Sequence, residues 1–173
     1  TAFLREQVLE PNLPGDAFCY LGITMIDLYP NEKWNYVFGE ASFRERVGVY
    51  SLVRYFPEFW NESESKGSNV LVLRRSCSTL AHETGHMFGI EHCIYYECLM
   101  CGSNSLEESD RRPLHLCPVC LRKLQWNIGF NVIKHYEDLE KFYRTNGLTA
   151  EADWIKNRLA KINPALSSER AGQ

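Results

Sequence analysis

The chain has 173 residues, a formal net charge of −3, and 45% hydrophobic against 24% charged residues. That is the make-up of an ordinary globular domain long enough to bury a core. No run of 18 apolar residues occurs, so no membrane span is expected, and the acidic balance argues against an electrostatic nucleic-acid partner.

In chain order, Phe18 to Leu28 is an apolar run rich in strand formers. Tyr29-Pro30-Asn31-Glu32 reads as a turn. A second strand is expected over Trp34 to Phe38, ended by Gly39, and a third over Val47 to Phe56, ended by Pro57. The polar stretch 61–69 reads as an exposed loop, and Val70 to Leu73 as a short buried strand. A helix follows, capped by Ser76 or Ser78 and running to Phe88. Beyond the cysteine-rich region the pattern turns helical: Pro118 to Ile128, then Asn131 to Arg144 with apolar residues at helical spacing, then a helix capped by Thr149. In that last helix Trp154, Ile155, Leu159 and Ile162 share a face. Residues 1–164 are expected to form one domain, with 165–173 a disordered tail.

The chemistry is concentrated in His82-Glu83-Thr84-Gly85-His86-Met87-Phe88-Gly89-Ile90-Glu91-His92, an H-E-x-x-H-x-x-G-x-x-H string. His82 and His86, four apart on a helix, stand on one face about 5–6 Å apart at Cβ. Two imidazoles so placed can close on one Zn²⁺ with bonds of about 2.0–2.1 Å. A continuing helix would carry His92 roughly 15 Å along the axis from His82. The chain must therefore turn back, and Gly89 can take the left-handed conformation that ends a helix. Three protein ligands leave a fourth zinc position open, the arrangement of catalytic sites. Glu83, beside the first ligand, is the candidate general base.

Five of the seven cysteines fall between Cys93 and Cys120. Cys93, Cys98, Cys117 and Cys120 form C-x4-C and C-P-V-C pairs, which suit a closed, structural Cys₄ zinc site. Two rival readings stand beside it: a redox pair at Cys117-Pro-Val-Cys120, and disulfides. Cys101 and His115 lie in the same segment as substitute ligands. Cys19 and Cys77 read as small buried residues, and His135 as a solvated helix residue. The clustered thiols and the lack of a visible secretory signal point to an intracellular protein, in cytoplasm or nucleus.

These motifs together resemble the archaemetzincins, a family of metzincin zinc metallopeptidases. The resemblance rests on the string His82 to Cys93, on Cys98-Leu99-Met100, and on Cys117-Pro118-Val119-Cys120. It extends upstream to Gly22-Ile-Thr-Met-Ile-Asp-Leu, Trp34-Asn-Tyr-Val-Phe-Gly-Glu-Ala-Ser and Gly48-Val-Tyr-Ser, and downstream to Arg111-Arg-Pro-Leu, covering about residues 18–130. It implies an α/β metzincin-like catalytic domain: a twisted mixed sheet, an active-site helix and C-terminal helices. It implies two zinc ions per chain, one on His82, His86 and His92 and one on Cys93, Cys98, Cys117 and Cys120. Glu83 is then the base, and Met100 the Met-turn methionine beneath the metal. Peptide hydrolysis, with aminopeptidase activity attributed to some members, is the implied function. The substrate would be a peptide or protein, held in extended form along an edge strand, for which Val47 to Ser51 is the candidate and an interior strand the alternative. Tyr95 and Tyr96 are considered as oxyanion donors, and Glu91 and Glu97 as anchors for a substrate ammonium. The alternative function is a two-zinc binding or scaffold protein with vestigial peptidase activity.

Overall fold

A computed structural model of the chain describes residues 1–30, 36–61, 63 and 68–163. Its contacts divide the chain into two compact units, Thr1–Leu124 and a second beginning at Gln125. The fold is mixed α/β. Among the described residues no helix is long and apolar enough to cross a membrane.

The first unit holds a three-stranded sheet of β1 (Tyr20–Thr24), β2 (Gly39–Ser42) and β3 (Val47–Ser51), in the order β1-β3-β2. β1 runs parallel to β3, with Gly22 opposite Val49, and β2 runs antiparallel, with Glu40 opposite Val49. The sheet is therefore mixed, as expected. All five residues of β3 are buried, as befits a strand flanked on both sides. This overturns the edge-strand expectation for Val47 to Ser51, which is the centre of the sheet. The strand expected over Trp34 to Phe38 is displaced: Val37 makes an isolated bridge to Leu28 and the strand proper begins at Gly39. Residues 34 and 35 lie outside the described residues. The expected first and third strands also shorten, the latter giving way to a 3₁₀ turn at Val53–Tyr55. Upstream of β1, Leu4–Leu9 and Glu10–Asn12 form irregular helical turns that sequence patterning does not announce.

Helix α1 spans Ser68–Met87. It takes in Val70 to Leu73, so the short strand expected there is helical. Four consecutive apolar residues carry no periodicity to separate strand from helix, and only Val72 of the four is fully buried. α2 (Leu106–Arg111) is capped by Ser105, whose hydroxyl accepts from Glu108 N, and α3 spans Pro118–Ile128. In the second unit α4 (Val132–Thr145) is capped by Asn131, whose side chain accepts from Lys134 N. α4 packs on α5 (Thr149–Ile162), which buries Ala152, Ile155 and Leu159. Thr149 opens that helix without capping it: the cap position is Leu148 and no side-chain bond is made there. His135, expected in solvent, is half-buried with its ring 4.9 Å from that of Phe130. The tail at 165–173 lies outside the described residues.

One contact fixes the floor beneath the end of α1. Gly85 sits in the helix interior, where glycine costs about 1 kcal/mol relative to alanine. The cost is offset by Met100, fully buried, whose sulfur would stand 2.5 Å from a Cβ at that position. The thioether fills the space that a side chain would take. Gly85→Ala should therefore overpack this layer, and the gain in helix propensity should not compensate. We expect a loss of about 1–3 kcal/mol in denaturant unfolding. Adding Met100→Ala should recover part of it, and simple additivity of the two substitutions would contradict the packing argument.

Candidate active site

α1 carries His82 and His86 one turn apart and then stops. The Gly89 N–H donates to His86 O (2.9 Å) and the Ile90 N–H to Gly85 O (3.1 Å), closing the helix with Gly89 at φ +77°. This is the Schellman arrangement, and it reverses the chain so that His92 comes back over the helix end. The imidazoles of His82, His86 and His92 then face one point, with ring centroids 4.6–5.2 Å apart. One ligand nitrogen from each lies within 4.8 Å of the others.

Two hydrogen bonds set the tautomers. His82 Nδ1–H donates to Leu99 O (2.9 Å) and His86 Nδ1–H to Ile90 O (2.7 Å). Each leaves its Nε2 lone pair for a metal, the outer-sphere support found at histidine sites. The two Nε2 atoms stand 3.1 Å apart. Two ligands at tetrahedral angles with bonds of about 2.0–2.1 Å would stand ~3.3 Å apart, so the donors fit a zinc ion. Burial holds His82 far below the usual imidazole range, at about 3, and lowers His86 as well. Both are therefore neutral at neutral pH and ready to ligate.

Glu83 opens on a cavity of about 620 Å³ lined in part by Phe38, Gly39, His82, His92 and Arg112. Burial pushes its carboxyl up to about 7, against the pull of Arg112 and with a further push from Glu40. That is the range in which a general base works best. Strand β2 passes directly over it: a Cβ at Gly39 would meet Glu83 Cγ at 3.3 Å. The far edge of β2 has no strand partner among the described residues.

The second cluster follows at once. Cys93, Cys98, Cys117 and Cys120 bring their sulfurs within 4.8 Å of one another. Cys93 Sγ and Cys117 Sγ are 3.9 Å apart, close to the ~3.8 Å of two thiolates on one zinc with bonds of about 2.3 Å. Backbone N–H groups converge on the sulfurs: those of Met100 and Cys117 donate to Cys98 Sγ (3.4 and 3.2 Å), and that of Cys120 to Cys117 Sγ (3.4 Å). Such donors stabilise thiolate ligands. All seven cysteines are unpaired thiols, and both cysteine pairs meet in one group of four sulfurs.

Other sequence candidates fall outside the two groups. Cys101 Sγ lies 3.2 Å from Tyr96 O and does not join the four sulfurs. His115 offers its backbone carbonyl to Leu99 N. Cys19 and Cys77 are half-buried. Tyr95 and Tyr96 are 82% and 55% exposed and are not among the described residues that line the cavity of Glu83. Glu91 and Glu97 are likewise exposed. Sequence reasoning missed Gly85, though a glycine inside a helical pattern signals a packing demand. It also missed Arg112, named only within the Arg111-Arg-Pro-Leu stretch of the resemblance, and the part of β2 as the edge strand over Glu83.

Comparison with known proteins agrees with this geometry. The profile of peptidase family M54 matches residues 14–126. The chain is a member of the archaemetzincins, peptidase family M54. Archaemetzincin-2 of Rattus norvegicus is 48% identical over 78% of the chain and 44% of that protein, and archaemetzincin-2 of Homo sapiens 44% identical over 78% and 43%. This M54 chain thus spans less than half the length of those relatives. Among solved structures, archaemetzincin from Methanopyrus kandleri is 33% identical with a TM-score of 0.59, over 73% of this chain and 66% of that one. A zinc-dependent peptidase from Methanocorpusculum labreanum is 28% identical with a TM-score of 0.55, over 68% and 64%.

Proposed function

We propose that the chain is a zinc-dependent peptidase that cleaves extended peptides laid along β2. His82, His86 and His92 would hold a catalytic zinc, and Cys93, Cys98, Cys117 and Cys120 a second, structural one. The observation that carries the reading is the convergence of His82 Nε2 and His86 Nε2, each freed by an Nδ1 bond to a backbone carbonyl, beside a half-buried glutamate. A scaffold site needs no such carboxylate.

A zinc ion in the histidine site supplies Lewis acidity and an acidified water. The chain does the rest. The outer edge of β2 offers backbone groups to an extended peptide, which sets it across the cleft. Glu83 carries the proton, accepting it from the attacking water and delivering it to the amine nitrogen of the broken bond. Among the described residues that line this cavity Glu83 is the only acid. Seven unpaired thiols suit a reducing, intracellular compartment.

Removing the carboxylate tests the base directly. Glu83→Ala should retain both zinc ions by elemental analysis and lose about 10²–10⁴-fold in kcat. Hydrolysis equal to wild type would contradict the assignment, and absence of hydrolysis by either protein across a broad peptide library would favour a scaffold. Metal binding itself should separate the two sites by their protons. Burial pushes the Cys98 thiol up to about 11 and raises Cys120 too, whereas His82 and His86 are lowered. At pH 7.5, zinc must therefore displace protons from the cysteines and almost none from the histidines. Calorimetric titration in buffers of different ionisation enthalpy should show one event releasing about two or more protons and one releasing about none. Cys117→Ser should abolish the former and keep a histidine event, weaker but still releasing about no protons, and equal proton release at both would contradict the ligand sets.

A further inference from the structure

Arg112 is the strongest charge in the cleft that the proposed reaction leaves unused. It follows α2 and is 8% exposed, yet it lines the cavity that holds Glu83. Its Nη2 donates to Ser109 Oγ (2.7 Å) and its Nη1 to Cys101 O (2.8 Å). Its Nη1 also lies 3.1 Å from His82 Nδ1. That nitrogen gives its proton to Leu99 O, so it cannot accept from the guanidinium as well. Nε has no hydrogen-bond partner among the described residues. No carboxylate among them forms an ion pair with Arg112, although Arg5, Arg54, Arg75, Arg111 and Arg144 each have one.

A buried cation without a paired anion is costly. Glu83 is the only acid among the described residues that line the cavity with it. That carboxylate is the one the proposed reaction uses, and it forms no ion pair with the guanidinium among the described residues. The other polar side chains that line the cavity, Tyr36, Thr79, His82, His92, Ser103 and Asn104, include no carboxylate. With a zinc ion on the histidines, the cleft carries a net positive charge. A guanidinium with a planar fork and unused donors is the side chain best matched to a carboxylate.

We propose that Arg112 makes this cleft selective for substrates with a carboxylate next to the bond being cleaved, on an Asp or Glu side chain or at the peptide's own C-terminus. The inference rests on the peptidase reading above and adds the chemical class of its substrate. Arg112 is a specificity residue here, holding the anion while Glu83 handles the proton.

The test compares peptides that differ only by Glu for Gln beside the cleaved bond, each with a free and an amidated C-terminus. Wild type should favour one carboxylate-bearing member at least about 10-fold in kcat/KM. Preference for the Glu member assigns the side chain, and preference for the free terminus assigns the C-terminal carboxylate. Arg112→Gln should bring that ratio to about 1, and Arg112→Lys, which keeps the charge, should preserve part of it. No preference in wild type, or an equal loss on both members in Arg112→Gln, would overturn the proposal, the latter showing a merely structural arginine. Zinc-loaded Glu83→Gln protein separates the two hypotheses. Calorimetric binding of N-acetyl-glutamyl and N-acetyl-glutaminyl dipeptides, each as acid and amide, requires no turnover. A carboxylate preference in binding without wild-type hydrolysis would sink the peptidase reading alone. Hydrolysis without a preference in either assay would sink the carboxylate inference alone.

Discussion

The segment Cys98 to Cys101 is the constraint on which the site depends. Leu99 O accepts the proton of His82 Nδ1 and so turns Nε2 toward the metal position. Met100 fills the gap at Gly85, and its carbonyl accepts from Cys93 N (2.9 Å). Cys98 Sγ, fully buried, gathers the N–H groups of Met100 and Cys117. Four residues therefore touch the helix that carries two histidines, the strand of chain that follows the third, and the cysteine cluster. A metal on the cysteines would pin this segment, and the segment aims His82. Stability and catalytic geometry are linked through backbone hydrogen bonds and one close packing contact.

The electrostatics follow from the same burial. Taking Glu83 out of water raises its pKa into the working range, and it does so at a cost in stability that a resident cation would relieve. Two imidazoles kept neutral, a carboxyl raised and a guanidinium with no ion pair among the described residues are a combination that folding alone does not favour. Each makes sense as preparation for charges that arrive later: a divalent cation, a proton in transit, and an anionic group of the substrate.

Much of this was legible in the sequence because metal chemistry needs fixed residue types at fixed spacing. The three histidines, the turn at Gly89, the glutamate and the four cysteines all come together as the spacing implies. The helices after Pro118 were readable from their period and from Asn131. The strands were less so. Val47 to Ser51 is apolar throughout, which says that it is buried but not which strands flank it, and the pairing order that puts β2 at the edge is a long-range fact. Val70 to Leu73 failed for the converse reason, since four apolar residues look alike in helix and strand. Arg112 was hidden because its role comes from burial and from the lack of an ion pair, neither of which a sequence displays.

The most direct test of the link between the two metal groups is the zinc affinity of the histidine site in Cys117→Ser, by competition with a chelator, on protein shown to be folded. Cys117 is not one of the three-histidine group, yet loosening the cysteine cluster should relax the 98–101 segment and weaken the histidine site by about 10–100-fold, the usual cost of losing outer-sphere support. An unchanged affinity in the folded variant would mean that the two sites are merely neighbours, and that His82 is aimed by the helix alone.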